Sequence, residues 1–144
     1  MTHQGPVVLV TRRERFNAAH KMWNPKWSEE RNVEVYGKCA NPNWHGHNYQ
    51  LFVTVKGPIN PSTGYCVDLK DLSKLVNERV IDQLDHRNLN LDVPFMNGRL
   101  ASSENLVVAI WEQLDGPIGQ ELGVKLHGLK LYESENNMVE YFGE

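Results

Sequence analysis

The chain has 144 residues, 40% of them apolar, and a formal charge of −3. That length suggests one domain spanning 1–144 with a modest core, and the balance of charge offers no basic field for nucleic acid or a membrane surface. No apolar run approaches the ~20 residues of a membrane span, the start Met1-Thr2-His3-Gln4 lacks a signal-peptide pattern, and two lone cysteines, Cys39 and Cys66, fit thiols in a reducing cytoplasmic setting.

Residues Val7 to Ala19 are rich in β-branched and charged side chains and predict a first long strand closed by His20. Alternation puts His20 on the face of Phe16 and Ala18. Lys21 to Asn43 has Trp, Pro, Asn and charges without a period, and reads as a long excursion with one helical turn begun by Ser28 ahead of Glu29 and Glu30. A second strand runs from His47 to Lys56, with Tyr49, Leu51, Val53 and Val55 on one face. Asn60-Pro61-Ser62-Thr63-Gly64 is a turn cluster. Asp68 then caps a helix carrying Leu69, Leu72, Leu75, Val76 and Val80 at helical spacing and ending near Leu84. Asp85-His86-Arg87-Asn88 begins a loop. Ser102 or Ser103, with Glu104 in the first turn, starts a second helix through Leu106, Val107, Ile110 and Leu114, which Gly116-Pro117 ends or kinks. Lys125 to Tyr132 predicts a third strand, and Asn136-Asn137 a tight turn into a last strand, Met138 to Phe142. The order strand, strand, helix, helix, strand, strand implies an α+β fold: a four-stranded antiparallel sheet with two helices packed on one face. Open sheet edges would also invite pairing between subunits.

His45-Gly46-His47 sets two imidazoles on one strand face, about 6.5–7 Å apart along the chain, within reach of one ion. If the first two strands form a hairpin, the end of the first lies beside the start of the second. His20 then joins His45 and His47 despite 24 intervening residues. Three neutral imidazoles without an obvious fourth ligand leave a position open for water or substrate oxygen. The plain alternative, ordinary core or surface histidines, has to explain why three of six histidines converge there. His3 is terminal and His127 sits alone in a strand; both read as structural or solvent-facing.

Cys39 precedes His45 by six residues in a loop that must return to the metal end of the hairpin. A thiolate there could act as fourth ligand, nucleophile or general base, so a structural Cys-His₃ zinc stands beside a catalytic one. Cys66 reads as a small buried hydrophobe. Asp85-His86 reads first as a helix C-terminus where histidine suits the dipole, since adjacent side chains rarely face each other. Glu133 at a strand end can grip a guanidine-like ring edge, or simply sit in a solvated turn.

At these residues the sequence resembles the eukaryotic 6-pyruvoyl tetrahydropterin synthases. The resemblance runs from Arg13 to Glu144. It is carried by Phe16-Asn17-Ala18-Ala19-His20, Tyr36-Gly37-Lys38-Cys39, Asn41-Pro42-Asn43-Trp44-His45-Gly46-His47-Asn48-Tyr49, Leu84-Asp85-His86-Arg87-Asn88-Leu89, Ser103-Glu104-Asn105 and Leu131-Tyr132-Glu133-Ser134. It implies the tunnelling fold, ββααββ, with trimers forming a β-barrel and two trimers stacking into a homohexamer. It implies loss of triphosphate from 7,8-dihydroneopterin triphosphate with internal redox rearrangement to 6-pyruvoyl-tetrahydropterin, in tetrahydrobiopterin synthesis. His20, His45 and His47 match the ligands of one Zn²⁺ per subunit, with Mg²⁺ expected only as a companion of the triphosphate. Cys39 matches the general base, and Asp85 and His86 its relay partners, contributed across a subunit interface. Glu133 matches the pterin anchor, with Ser103 and Glu104 beside the substrate. Lys38, Arg87 and Lys130 are the candidates for the triphosphate. Trp44 stands where relatives usually have Gly, and Ala101-Ser102-Ser103 replaces a Ser-Thr-Thr-like run.

Two rivals remain. A 6-carboxy-tetrahydropterin synthase-like enzyme would share fold and metal, but such relatives typically have three residues between Cys and the His-Gly-His pair, against five here, Ala40 to Trp44. A non-catalytic zinc-stabilised binding module would leave every other candidate role accidental.

Overall fold

Strand alternation decides what the first two elements bury. The computed structural model describes residues 5–144, so His3 lies outside the described residues. Strand β1 (Val7–His20) pairs antiparallel with β2 (His45–Pro58) from Val7↔Pro58 to His20↔His45. β2 therefore starts two residues before the expected His47, because the ladder continues to the His20↔His45 rung. Phe16, Ala18 and His20 are buried on β1, and Tyr49, Leu51, Val53 and Val55 on β2. These are the residues the period of two assigned to one face.

The excursion between the strands is more ordered than its composition suggests. Ser28 caps helix α1 (Glu29–Tyr36) by accepting from the Arg31 N–H, and the helix runs eight residues rather than one turn. Asn32 explains the extra length. It is fully buried; its Oδ1 accepts from Asn24 N–H at 2.7 Å, and its Nδ2 donates to the carbonyls of Asn24 and Ser28 at 3.0 Å each. One side chain thus replaces the hydrophobic stripe that α1 lacks.

Helix α2 starts at Leu69–Val76, capped by Asp68, passes through a π turn at Asn77–Ile81 and closes with Asp82–Leu84. Beyond it the expected loop contains a short strand, β3 (Arg87–Asn88), paired parallel to β1. His86 and Leu89 donate their N–H groups to the carbonyls of Asn17 and Ala19. Two residues show no periodicity, so only this long-range pairing reveals them. Helix α3 (Ser103–Pro117) is capped by Ser102; its α-helical pattern ends at Pro117 and a π turn at Ile118–Leu122 carries the chain to Gly123, at φ +66°. Strands β4 (Lys125–Ser134) and β5 (Asn137–Tyr141) form the final hairpin; β4 starts where expected and runs two residues further, and β5 lies one residue earlier than expected.

The expected four-stranded antiparallel sheet with two helices is thus a mixed five-stranded sheet, β3-β1-β2-β4-β5, with three helices. Leu72, Val76 and Val80 of α2 and Leu106, Ile110 and Leu114 of α3 are fully buried against Leu51, Val53, Val55 and Leu131 of the sheet. Each such side chain contributes about 1.5–3 kcal/mol of burial. The other sheet face is open: Leu9 and Phe142 are 54% and 52% exposed. Gly128 lets the Phe142 ring lie close against this face, since a Cβ there would lie 2.8 Å from it. No helix among the described residues is long and apolar enough to cross a membrane.

A candidate metal centre and its surroundings

The three histidines meet on the helix-covered face at the loop end of the β1–β2 hairpin, where the excursion 21–44 leaves and returns. One ligand atom from each of His20, His45 and His47 lies within 4.8 Å of the other two. Their ring centroids are 4.5, 5.0 and 4.9 Å apart, and the planes are steeply inclined. His20 is 3% exposed, and its Nδ1 lies 2.6 Å from the Ala101 carbonyl. That carbonyl can only accept, so Nδ1 carries the proton and Nε2 presents a lone pair. The Nε2 of His20, Nδ1 of His45 and Nε2 of His47 are buried without a hydrogen-bond partner. Three convergent, unpartnered imidazole nitrogens suit a borderline-soft divalent cation, and the residues fit zinc. Burial lowers the pKa of His20 and of His45, and the neighbouring imidazoles push the same way, against the Ala101 hydrogen bond at His20 and the field of Glu133 at both. Both are thereby held in the neutral, ligating form.

Glu133 continues the helix-facing row of Leu129 and Leu131 on β4. Its Oε2 accepts from the Ser103 hydroxyl at 2.5 Å, and its Oε1 lies 3.3 Å from His47 Nε2 without the alignment of a hydrogen bond. Ser103 is buried at the start of α3, one residue after the cap. The chain therefore brings the ligands, Glu133 and Ser103 together. Glu104 is exposed on the first turn of α3.

Cys39 is a free, exposed thiol on a 3₁₀ turn, Gly37–Ala40. Its carbonyl accepts from the Met22 N–H at 2.7 Å, which fixes the backbone of Cys39 two residues past His20. It is not among the clustered ligand atoms, so nothing joins its thiol to the triad as a fourth ligand. Cys66 is half-buried, and burial raises its pKa.

Asp85 and His86 do face each other, against the plain reading of neighbouring side chains. His86 adopts φ +61°, and this left-handed turn brings its Nδ1 3.0 Å from Asp85 Oδ2. Asp85 Oδ1 accepts from the Asn17 N–H at 2.9 Å; that bond and then His86 hold the carboxyl below its ordinary pKa. His86 shares a hollow with Asn17, His47, Asn48, Arg87, Asn88 and Asp92. Asn17 and Asn48 alternate with the inward-facing Ala18, His47 and Tyr49, so the pair belongs to the sheet side opposite the triad. Within one chain no hydrogen bond or ion pair joins Asp85 or His86 to the metal ligands, although His47 lines the hollow that His86 lines.

Two features escape a reading of the sequence. Tyr49 is 1% exposed, stacks on Phe16 at 4.8 Å and leaves its hydroxyl without a partner, with the rings of His47 and His20 at 5.7 and 6.5 Å. Burial and the field of Glu133 raise its pKa. Its i+2 and i+4 spacing from His47 and His45 was the available signal. The second is Trp44, at φ +68°, with the Lys21 ammonium 4.5 Å above its ring. A left-handed backbone is where glycine is most at ease, so a tryptophan here carries a conformational cost.

Comparison with known proteins agrees with this fold. The family model for 6-pyruvoyl tetrahydropterin synthase matches residues 9–144. The 6-pyruvoyl tetrahydrobiopterin synthases of Homo sapiens and Pongo abelii are each 44% identical over 135 residues, covering 94% of this chain and 91% of theirs. The structure of Caenorhabditis elegans 6-pyruvoyl tetrahydropterin synthase superposes with a TM-score of 0.90 at 34% identity, covering 99% of this chain and 100% of that one. The chain belongs to the 6-pyruvoyl tetrahydropterin synthase family.

Proposed function

We propose that the chain is a zinc-dependent 6-pyruvoyl tetrahydropterin synthase. It would convert 7,8-dihydroneopterin triphosphate into 6-pyruvoyl-tetrahydropterin and free triphosphate in tetrahydrobiopterin synthesis. The observation that carries this reading is the convergence of three buried, unpartnered imidazole nitrogens beside a carboxylate already held by Ser103.

His20, His45 and His47 hold one Zn²⁺ per chain. When bound, the ion supplies Lewis-acid polarisation of a substrate side-chain oxygen. Glu133 accepts hydrogen bonds from the guanidine-like edge of the pterin, and Ser103 fixes its orientation. Glu104, one residue on, is assigned to the rim of that pocket. Cys39 as thiolate takes a carbon-bound side-chain proton, and the electron pair left behind expels triphosphate with the C–O bond. His86, oriented by Asp85, moves the proton needed for the rearrangement. Side chain and ring exchange oxidation level within one molecule, so no external oxidant or reductant is consumed.

Assembly is part of the proposal. The open sheet face, and the lack of any bond from Asp85-His86 to the triad within one chain, support a trimeric β-barrel, doubled to a hexamer, in which a neighbouring copy supplies the dyad. A cytoplasmic setting fits two free cysteines. Among the described residues, the His triad is the one cluster of three or more metal-ligating side chains. Mg²⁺ would therefore arrive with the triphosphate.

The test is turnover of 7,8-dihydroneopterin triphosphate by the purified protein, followed as triphosphate release and identified product, beside Cys39→Ala. The proposal expects a pyruvoyl product from the wild type and at least a 100-fold loss in the variant, the low end of general-base contributions. A wild type without turnover, or a variant with unchanged turnover, overturns it. Acetaldehyde among the products would instead indicate the carboxy-forming reaction.

A further inference from the structure

We propose that Lys21 and Trp44 clamp the mouth of the metal-binding hairpin, holding His20 and His45 at ligating distance before the ion arrives. They are positioning residues rather than ligands. The inference rests on the metal reading above.

His20 and His45 form the last rung of the β1–β2 ladder. Lys21 follows the one and Trp44 precedes the other. Beyond this rung the ladder stops: the backbone bond from Met22 N–H to the Cys39 carbonyl ties the excursion further out, but Lys21 and Trp44, which flank the rung, are not paired with each other and the strand ends would fray there. The Lys21 ammonium lies 4.5 Å from the centroid of the Trp44 ring and 5.2 Å from that of Trp23, within cation–π range of both. The side chains thus join the two residues flanking the last rung, which no backbone bond joins directly.

The Lys21 backbone is itself fixed. Its N–H donates to Asn90 Oδ1 and its carbonyl accepts from Asn90 Nδ2, each at 3.1 Å. Neighbouring Met22 bonds to Cys39. On the other strand Trp44 sits at φ +68°, a conformation strained for any side chain and worst for a bulky one. Such strain persists only where the surroundings over-determine it, and the indole's position over Lys21 supplies that determination. The outcome is a short brace across the two chain ends that carry two of the three ligands. Preorganising ligands in this way lowers the ordering required on metal binding.

The test uses the metal-stripped full chain, Co²⁺ and Zn²⁺ as probes, and Lys21→Met, Lys21→Arg, Trp44→Gly and the Lys21→Met/Trp44→Gly double variant. Affinity is read by chelator competition, release by stopped-flow, and geometry by the Co²⁺ ligand-field spectrum. The clamp predicts about fivefold weaker binding and faster release in Lys21→Met and in Trp44→Gly, the factor set by one ordinary cation–π contact. It predicts rescue in Lys21→Arg and a double variant no worse than either single. Trp44→Gly should bind metal less well while the metal-free protein melts no lower, since glycine relieves the strain; a merely structural tryptophan would do the opposite. Should Lys21→Met fail to fold, Trp44→Gly and Lys21→Arg decide the matter. Unchanged affinity in Trp44→Gly, no rescue by arginine, or additive losses overturn the clamp. A wild type that binds neither ion overturns the metal reading itself, whereas a binding wild type matched by its variants removes the clamp alone.

Discussion

Replacing Tyr49 by Phe should stabilise the metal-free protein. The Tyr49 side chain is 1% exposed and its hydroxyl has no hydrogen-bond partner. Burying a hydroxyl unpaired costs about 1–3 kcal/mol. The substitution removes that cost and leaves the ring. The stack on Phe16, at 4.8 Å and 9°, is retained, and so is the packing below the His rings. No cavity opens beyond one oxygen atom. The expected gain is therefore about 1–2 kcal/mol, or roughly 2–8 °C in melting temperature for a chain of this size. Urea and thermal unfolding of metal-stripped wild type and variant measure it. The same variant assayed for turnover shows whether the hydroxyl serves the site, because residues kept at a stability cost are characteristically functional. A variant less stable than wild type by 1 kcal/mol or more would refute the reasoning, since it would mean that the hydroxyl is satisfied in the native protein.

Ser103→Ala should free Glu133 from its 2.5 Å hydrogen bond and raise KM about tenfold with a smaller change in kcat, the cost of one bond to a charged acceptor; steady-state kinetics check it, and an unchanged KM contradicts the anchoring role. Glu14 supplies the acid-side prediction. Burial alone would raise its pKa, but the Ser73 hydroxyl at 2.6 Å and Arg12 at 2.9 Å hold it below the ordinary carboxylate value. Its contribution to stability is then present above about pH 4.3 and lost as pH falls through the lowered folded-state value. Glu14→Gln should flatten the stability–pH slope in that window, leaving the part due to Asp85, whose pKa is likewise lowered. Equal slopes in urea titrations from pH 5 to 3 would remove Glu14 from the account.

The parts legible in the sequence are those with a period. Alternation put Phe16, Ala18 and His20 on one face of the first strand and Tyr49, Leu51 and Val53 on one face of the second, and with the two strands taken as a hairpin it set His20 beside His45 and His47, as the ladder has it. Helical spacing likewise marked the buried rows of α2 and α3. What stayed hidden depends on contacts between distant residues or on unusual backbone angles. β3 exists only because Asn17 and Ala19 offer carbonyls to His86 and Leu89. The Asp85–His86 contact needs the left-handed turn at His86, which no composition rule foretells. Asn32 builds α1 through hydrogen bonds to Asn24 and Ser28 rather than through an apolar face. The Ser103–Glu133 bond links residues 30 apart on a helix and a strand. The resemblance indicated roles for Glu133 and the Asp85–His86 pair, while the structure shows how far a single chain goes toward assembling them.

The most direct measurement titrates Zn²⁺ into metal-stripped protein while triphosphate release from 7,8-dihydroneopterin triphosphate is followed in the same samples. The account predicts negligible release without metal, a rate rising linearly to a break at one zinc per chain, and no such rise in His45→Ala. Full turnover by the metal-free chain would contradict it.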